Sequence, residues 1–93
     1  FGAHAKNLRM NASKSFIGHT LGAAGLVECI LTVMQIEQGV LHATAGFTEP
    51  DPQCDLDNLT DGWVHADPRF AMTISIGFGG LNVCLLLRKV GHA

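Results

Sequence analysis

The stretch KSFIGHTLGAAGLVECILTVMQIEQG, residues 14–39, decides the fold because a glycine-rich start runs directly into a helical pattern. We predict one helix over 20–38, with Thr20 as its N-cap and Gly39 as the residue that ends it. The remaining surface of this helix is apolar, so we expect protein to cover it on most sides. Polar residues recur at spacings of four, three and three and form one narrow stripe, which Glu37 widens: Glu28, Thr32, Gln35 and Gln38.

Two residues able to carry positive charge, Lys14 and His19, precede the predicted helix. A helix N-terminus favours anions, a lysine adds positive field, and a histidine can donate a hydrogen bond near neutral pH. Together they could stabilise a developing oxyanion or enolate. The alternative is a partly buried histidine that bonds the backbone, beside a surface lysine. Gly18, Gly22 and Gly25 leave room there for a second backbone or a substrate.

Two apolar segments follow the helix, FAMTISI at 70–76 and LNVCLLL at 81–87. Both predict strands, and the second is so apolar that we expect both of its faces to be buried. A helix followed by two such strands indicates an α/β layered fold. A short strand over 8–13 is expected to lead into the glycine-rich stretch.

The two strands are joined by GFGG, residues 77–80. The segment lacks the spacing of a dinucleotide-binding loop and no helix follows it, so it does not predict a phosphate site. An aromatic side chain between glycines suits a movable gate in front of a pocket, which makes Phe78 a candidate gating residue. The alternative is a phenylalanine packed in a tight turn.

The segment 42–62 predicts a long loop, because it is rich in proline and aspartate. Its aspartates lack the spacing and the glycine of an EF-hand calcium loop. We therefore expect a solvated loop whose polar side chains cap its own turns. Its aspartates are not expected to form a metal site: Asp51, Asp55 and Asp57.

Other reactive side chains are isolated along the chain. Cys29 and Cys84 lie in apolar runs, where burial makes a thiol inert, and Cys54 lies in an acidic loop. We expect all three to be structural. The remaining histidines have no metal-ligand spacing and are predicted to be surface or loop residues: His4, His42, His65 and His92.

Composition narrows the function classes further. The 93 residues are 47% hydrophobic and 15% charged, with a net charge of −2. The six basic residues form no stripe, which argues against nucleic-acid binding. The longest apolar stretch, 21–36, is too interrupted to span a membrane, and odd, unpaired cysteines fit reduced thiols in the cytoplasm. The apolar composition and the start at Phe1 favour a piece of a larger protein.

KSFIGHTLGAAG resembles the K-S-x-x-G-H-x-x-G-A-A-G signature of β-ketoacyl-acyl carrier protein synthases, the condensing enzymes of the thiolase-like superfamily. FGAHA, EPDPQCDLD and IGFGGLN resemble other segments of that family in the same order. The resemblance covers essentially the whole chain, 1–93, and is closer to stand-alone type II elongating synthases than to modular polyketide domains. It implies the C-terminal portion of a layered α/β/α thiolase-like fold, with a buried helix and a mixed sheet.

The resemblance implies a decarboxylative Claisen condensation in fatty acid or polyketide biosynthesis. His19 matches a catalytic histidine that would stabilise the malonyl enolate, Lys14 matches the lysine that supports it, and Phe78 matches the gating phenylalanine. Acyl carrier protein, acyl and malonyl thioesters, and a homodimer or ketosynthase heterodimer are the implied partners, without a cofactor. The nucleophilic cysteine and the second catalytic histidine of the family belong to an upstream segment outside this chain.

The chain also departs from the family pattern. Ile74 and Ile76 stand where Asn and Phe are common, and HATAG, residues 42–46, replaces a typical P-P-T-x-N. These changes leave the pocket shape and the acyl preference open. Two other functions remain: a non-catalytic partner subunit similar to a chain-length factor, and a small independent acyl-binding domain. Retention of Lys14 and His19 argues against the first, and the apolar composition argues against the second.

Overall fold

The computed structural model of the chain describes residues 1–54, 56–58 and 62–91. Its regular elements combine helices with short and long strands. Two 3-10 helices, Gly2–Asn7 and Leu21–Ala23, accompany them. In chain order the other elements are β1 (Arg9–Met10), α1 (Lys14–Ile17), α2 (Ala24–Gln38), β2 (Val40–Leu41), β3 (Asp57–Asn58), β4 (Val64–His65), β5 (Phe70–Gly77) and β6 (Leu81–Arg88).

Helix α2 corresponds to the predicted helix but begins at Ala24 instead of residue 20. A 3-10 turn precedes it, and Thr20 makes no side-chain cap hydrogen bond, so the predicted N-cap is wrong. The reason is the backbone of Leu21, whose φ of +53° interrupts a regular helical start. The predicted end is confirmed: Gly39 takes the left-handed conformation, and its N–H donates to the carbonyl of Gln35 at 3.0 Å.

The two predicted strands are confirmed as β5 and β6, and they pair as an antiparallel hairpin. The pairing runs from Phe70 opposite Arg88 to Gly77 opposite Leu81. Residues 78–80 connect the strands, and the last two of them, both glycines, have φ near +85° and +88°. Such values suit glycine at the tip of a short hairpin loop.

Two short strand pairs were not predicted. β1 pairs with β3 in parallel, and β2 pairs with β4 in antiparallel orientation. The expected loop over 42–62 therefore contains a short strand. Each of these strands has two residues, which is too short for any periodic pattern to reveal. The strand expected over 8–13 shrinks to Arg9–Met10, because α1 begins at Lys14.

An ion pair ties the segment after β4 to the end of β6. Lys89 Nζ lies 2.8 Å from an Asp67 carboxylate oxygen. The hydrogen bond from Lys89, and then its charge, lower the pKa of Asp67. The Asp67 side chain is exposed, so we expect the pair to add little stability.

The helix and the hairpin form two layers, which confirms the predicted α/β class. Side chains at alternate positions of β5 face α2 and are partly buried: Ala71, Thr73 and Ser75. The expected burial of both faces of β6 is wrong within the described residues, because none of them covers that strand's outer face. Cys84 is likewise exposed and Cys29 only partly buried.

Much apolar surface is left uncovered. The chain exposes 7190 Å², whereas a compact monomer of 9.9 kDa would expose about 5,200 Å². In the described ranges the buried apolar residues are few: Ala24, Ile36 and Ala43. The expected cover around α2 is therefore absent from the described residues, and large aliphatic side chains such as Leu26 and Ile30 are exposed. Across the described ranges, no helix is both long and apolar enough to cross a bilayer.

The substitution Gly39→Ala should lower the free energy of unfolding by about 1–2 kcal/mol, since a Cβ disfavours the left-handed conformation. The added atom would also lie 3.0 Å from the carbonyl oxygen of Ala66. Gly22→Ala is the control, because no atom lies within 4 Å of its added Cβ and its φ is not left-handed. Chemical denaturation measures both, and equal stability of the two variants would contradict the assignment.

Candidate functional site

A cavity of about 330 Å³ lies between the start of α2 and the β5–β6 hairpin. The helix and the hairpin approach each other closely at Gly25, where an added Cβ would lie in van der Waals contact with Ser75 Oγ, 3.6 Å away. The lining combines Lys14 and His19 on one side with Ser75, aliphatic residues and strand backbone on the other. Its residues are Lys14, His19, Leu21, Ala24, Gly25, Ile74, Ser75, Ile76, Gly77, Leu81 and Val83.

Lys14, at the first position of α1, forms an ion pair with the carboxylate of Glu28 on α2. The Glu28 side chain is the more buried of the two, at 14% exposure against 41% for Lys14. The pair therefore holds the lysine at the cavity while its side chain stays partly exposed. The sequence placed Glu28 only in the polar stripe of α2. The available signal was its position as the one acidic residue between Ala24 and Ile36.

The imidazole of His19 accepts a hydrogen bond from the backbone N–H of Leu21, 3.0 Å from Nδ1. A nitrogen that accepts carries no proton, so the neutral ring holds its proton on Nε2. Leu21 achieves this contact in the strained left-handed region, which is rare for a residue with a large side chain. The neutral ring of His19 is therefore kept as a donor through Nε2, beside the cavity that Lys14 also lines.

Both sequence interpretations of Lys14 and His19 have support in this geometry. His19 does bond the backbone, as the structural alternative held, although its ring is exposed rather than partly buried. Lys14 is not an isolated surface lysine, because it lines the same cavity as His19 and is held by Glu28. The structure brings the two residues together, and their catalytic role stays a prediction.

Phe78 stands at the tip of the hairpin and is fully exposed. It does not line the cavity, whereas the strand residues on either side of the loop, Gly77 and Leu81, do. The packed-phenylalanine alternative is therefore wrong for the described residues. A side chain held only by a glycine-rich loop at the rim of a cavity is free to move over its mouth.

The remaining candidate residues do not form a second site. Gln53 N–H donates to the side chain of Asp51 at 2.8 Å, which confirms self-capping at the start of the loop. Asp55 and the side chain of Asp57 lie outside what the structure describes. In the described part of the chain no cluster of histidine, cysteine and carboxylate groups fits a metal ion, and no disulfide links the three cysteines.

One histidine prediction is only half right, because His42 does lie in the loop that follows β2 but is not on the surface. His42 is buried, with 7% of its surface exposed, instead of lying on the surface. It follows β2, where Gln35 of α2 and the segment before α1 cover it, and its ring contacts Phe16 and Trp63 edge-on. His4 and His65 are exposed as expected, and His92 lies outside the described residues.

Solved structures define the class of fold. A chain of the complex described as "AntDE:AntF (apo): type II PKS acyl-carrier protein in complex with its ketosynthase bound to the hexaketide" superposes with a TM-score of 0.92 at 32% identity. The match covers 97% of this chain and 22% of that one. A β-ketoacyl synthase from Burkholderia phymatum gives 0.86 at 33% identity, over 90% of this chain and 21% of the other. The α/β architecture is therefore a portion of the thiolase-like fold of ketosynthases.

Sequence comparison gives the family. Residues 1–48 match the family model of the β-ketoacyl synthase, C-terminal domain. The chain belongs to the β-ketoacyl synthase family. It is similar to 3-oxoacyl-[acyl-carrier-protein] synthase 2 of Staphylococcus aureus, with 39% identity over 96% of this chain. Nodulation protein E of a Rhizobium species also shares 39% identity, over 97% of this chain. The chain spans 22% of the length of both relatives.

The contacts of the two histidines predict opposite neutral tautomers. His19 should carry its proton on Nε2, whereas His42 should carry it on Nδ1, which lies 2.8 Å from the carbonyl oxygen of Ala43. Nitrogen-15 NMR of the protein with labelled histidine measures the tautomer of each ring at a pH where both are neutral. His42 serves as the internal control, and a proton on Nδ1 of His19 would contradict the geometry of the site.

Proposed function

We propose that the chain is part of a 3-oxoacyl-[acyl-carrier-protein] synthase of fatty acid or polyketide biosynthesis. In the proposed reaction a malonyl thioester loses carbon dioxide, and the electrons of the broken C–C bond move onto the thioester oxygen as an enolate. The enolate carbon then attacks an acyl-cysteine thioester, a new C–C bond forms, and the cysteine leaves as a thiolate. That cysteine would lie in the rest of the protein.

His19 is the donor for the enolate in this proposal. The observation that carries the assignment is the hydrogen bond from Leu21 N–H to Nδ1, since it leaves the neutral ring with a proton on Nε2. A fixed neutral donor stabilises the charge that develops on the thioester oxygen without losing its proton. The strained backbone at Leu21 fits a contact retained for function.

Lys14 supports the enolate electrostatically. Its ammonium group lines the same cavity as His19 and adds positive field where negative charge develops. The ion pair with Glu28 holds the lysine in place and moderates its charge. In this role the lysine acts as a fixed charge beside the reacting group, and Glu28 acts as its positioning residue.

The hairpin supplies the opposite side of the site. Leu81 and Val83 give that wall an aliphatic character, because they pair with Gly77 and Ser75 on the face of the hairpin toward α2. Such a wall suits the carbon chain of a thioester substrate. Phe78 at the rim would open and close access to the acyl-cysteine, and the glycines beside it would permit the movement. The acyl chain length is set by the full pocket, to which residues outside this chain would contribute.

An acyl carrier protein is the proposed partner. Support comes from the similar fold of a chain in a complex of a ketosynthase with its acyl-carrier protein. The uncovered apolar faces of α2 and β6 support assembly with the remainder of a synthase and, through it, a homodimer or a ketosynthase heterodimer in the cytoplasm. The chain would be one segment of a single ketosynthase domain.

A second candidate function is that of a non-catalytic partner subunit. A chain of the structure described as "The ishigamide ketosynthase/chain length factor" superposes with a TM-score of 0.85 at 37% identity, over 89% of this chain and 21% of that one. Lys14 and His19 on one cavity favour the catalytic subunit, because a partner without chemistry needs neither. The residue at the nucleophile position of the full-length sequence distinguishes the two: a cysteine supports the synthase, and its replacement supports the partner subunit.

Replacing His19 by alanine in the full-length protein should lower the rate of malonyl-thioester decarboxylation by about 100- to 1,000-fold, the usual effect of losing an oxyanion donor. The thermal midpoint should change little, because the ring is exposed. Carbon dioxide release from malonyl-CoA measures the rate, and His65→Ala is the matched control because that histidine is also exposed. An unchanged rate for His19→Ala would refute the assigned role.

Replacing Phe78 by alanine should change the rate of acyl transfer or elongation. The free energy of unfolding should change by about 0.5 kcal/mol or less, so the thermal midpoint should stay close to that of the parent. The reason is that the side chain packs on no described residue. Acyl-enzyme formation followed by mass spectrometry, together with thermal unfolding, tests this. A loss of thermal stability without any kinetic change would restore the packed-phenylalanine interpretation.

A further inference from the structure

His42 is a buried titratable group outside the cavity. The cavity lining does not include it, and the resemblance to the synthase family assigned it no role. Both ring nitrogens are nevertheless occupied. Nδ1 lies 2.8 Å from the carbonyl oxygen of Ala43, and Nε2 lies 2.9 Å from Ser13 Oγ. Because a carbonyl oxygen only accepts, Nδ1 carries the proton and Nε2 of the neutral ring accepts the hydroxyl proton of Ser13.

Ser13 directly precedes Lys14 and occupies the N-cap position of α1. Its side chain makes no cap hydrogen bond to that helix, although serine is a preferred cap residue. The hydroxyl is committed to His42 instead. Helix α1 spans only Lys14–Ile17, and so short a helix does not hold itself in place. The position of Lys14 therefore depends on tertiary contacts of the segment before it.

Those contacts converge on the segment that contains His42. The amide of Asn11 donates to the backbone carbonyl of His42 at 2.9 Å and to Gln35 Oε1 at 2.7 Å. The backbone N–H of Ala12 donates to Thr44 Oγ1 at 3.0 Å. Residues 11–13 are thus clasped to 42–44, and on the other side of Lys14 the backbone N–H of Ala45 donates to Ser15 Oγ at 2.8 Å. Within this clasp, His42 is the buried side chain that reaches the residue next to Lys14.

We propose that His42 is a positioning residue for Lys14, which it holds through Ser13 at the cavity shared with His19. This inference rests on the proposed function, because it assigns His42 a part in that reaction. Lys14 is then held by Glu28 through its side chain and by two contacts through its backbone, His42 with Ser13 and Ala45 with Ser15. Loss of the hydrogen bond between His42 and Ser13 would let the backbone at Lys14 move and displace its ammonium group from the developing enolate. A displacement of about 1 Å can lower the rate by up to about 100-fold.

Two substitutions of His42 separate positioning from packing. His42→Gln keeps a polar atom three bonds from Cβ, the same number as Nε2, and can accept from Ser13. His42→Asn keeps a polar atom only two bonds from Cβ, the same number as Nδ1. This atom is too close to the backbone to reach Ser13. Ser13→Ala removes the hydroxyl and leaves the buried ring in place. The full-length protein carries each change, and malonyl-CoA decarboxylation and thermal unfolding are measured at a temperature where every variant is folded.

We expect His42→Asn and Ser13→Ala each to lower kcat for decarboxylation by about 10- to 100-fold, with KM within about twofold of the parent. The double variant should lose no more than either single one, because both remove the same hydrogen bond. His42→Gln should recover most of kcat. An unchanged kcat per folded molecule in Ser13→Ala would overturn the proposal, even if the His42 variants fail to fold. Equal kcat losses in His42→Gln and His42→Asn would overturn it as well.

His19→Ala in the same assay distinguishes this proposal from the proposed function. If His19→Ala loses decarboxylation while Ser13→Ala does not, the positioning role fails and the proposed function stands. If His19→Ala keeps the parent rate, the proposed function fails, and the positioning role fails with it because there is no reaction for Lys14 to support.

Discussion

The packing of the α2 start against strand β5 creates the cavity, and the rest of the site depends on that contact. The contact is close at Gly25, where an added Cβ would lie in van der Waals contact with Ser75 Oγ. The contact brings His19 and Leu21, which precede α2, over the hairpin that carries Phe78. Without this contact, Lys14 and His19 would lie on a different surface from the aliphatic residues of the hairpin.

The position of the Lys14 ammonium group and the tautomer of His19 are set by neighbouring groups that need not contact a substrate. Glu28 fixes the ammonium group of Lys14, and the backbone of Leu21 fixes the tautomer of His19. A neutral histidine beside a held cation provides a donor and a positive field together, which is what a developing enolate requires. Strain at Leu21 is stored where the chemistry would occur, in keeping with the general location of such strain.

Sequence patterns predicted the long elements and failed on the short ones. The helical stripe, the end of the helix at Gly39 and the β5–β6 hairpin follow from periodicity and turn chemistry, so they could be predicted. The two-residue strands and the 3-10 turn at Leu21 depend on tertiary pairing and on one strained φ, which leave no periodic trace. The expected burial of β6 was wrong because an apolar pattern shows only that a face must be covered. The residues that would cover this strand are not among the described ones.

For the site, sequence patterns placed Lys14 and His19 together but missed Glu28 and His42. Both were classed by their local surroundings, as a stripe residue and a loop histidine. Their partners lie 14 and 29 positions away, at Lys14 and Ser13, and no local spacing reveals such pairs. Burial of His42 arises from three segments meeting around one ring, which only the folded chain displays.

In the proposed function, His19 and Lys14 form the enolate-stabilising side of a condensing site. A crystal structure of the full-length protein with a malonyl-thioester analogue that cannot lose carbon dioxide would show this arrangement. We expect the thioester oxygen at about 3 Å from Nε2 of His19, with the ammonium group of Lys14 facing the same group. A thioester oxygen more than about 4 Å from Nε2, bonded instead to donors elsewhere in the protein, would contradict it.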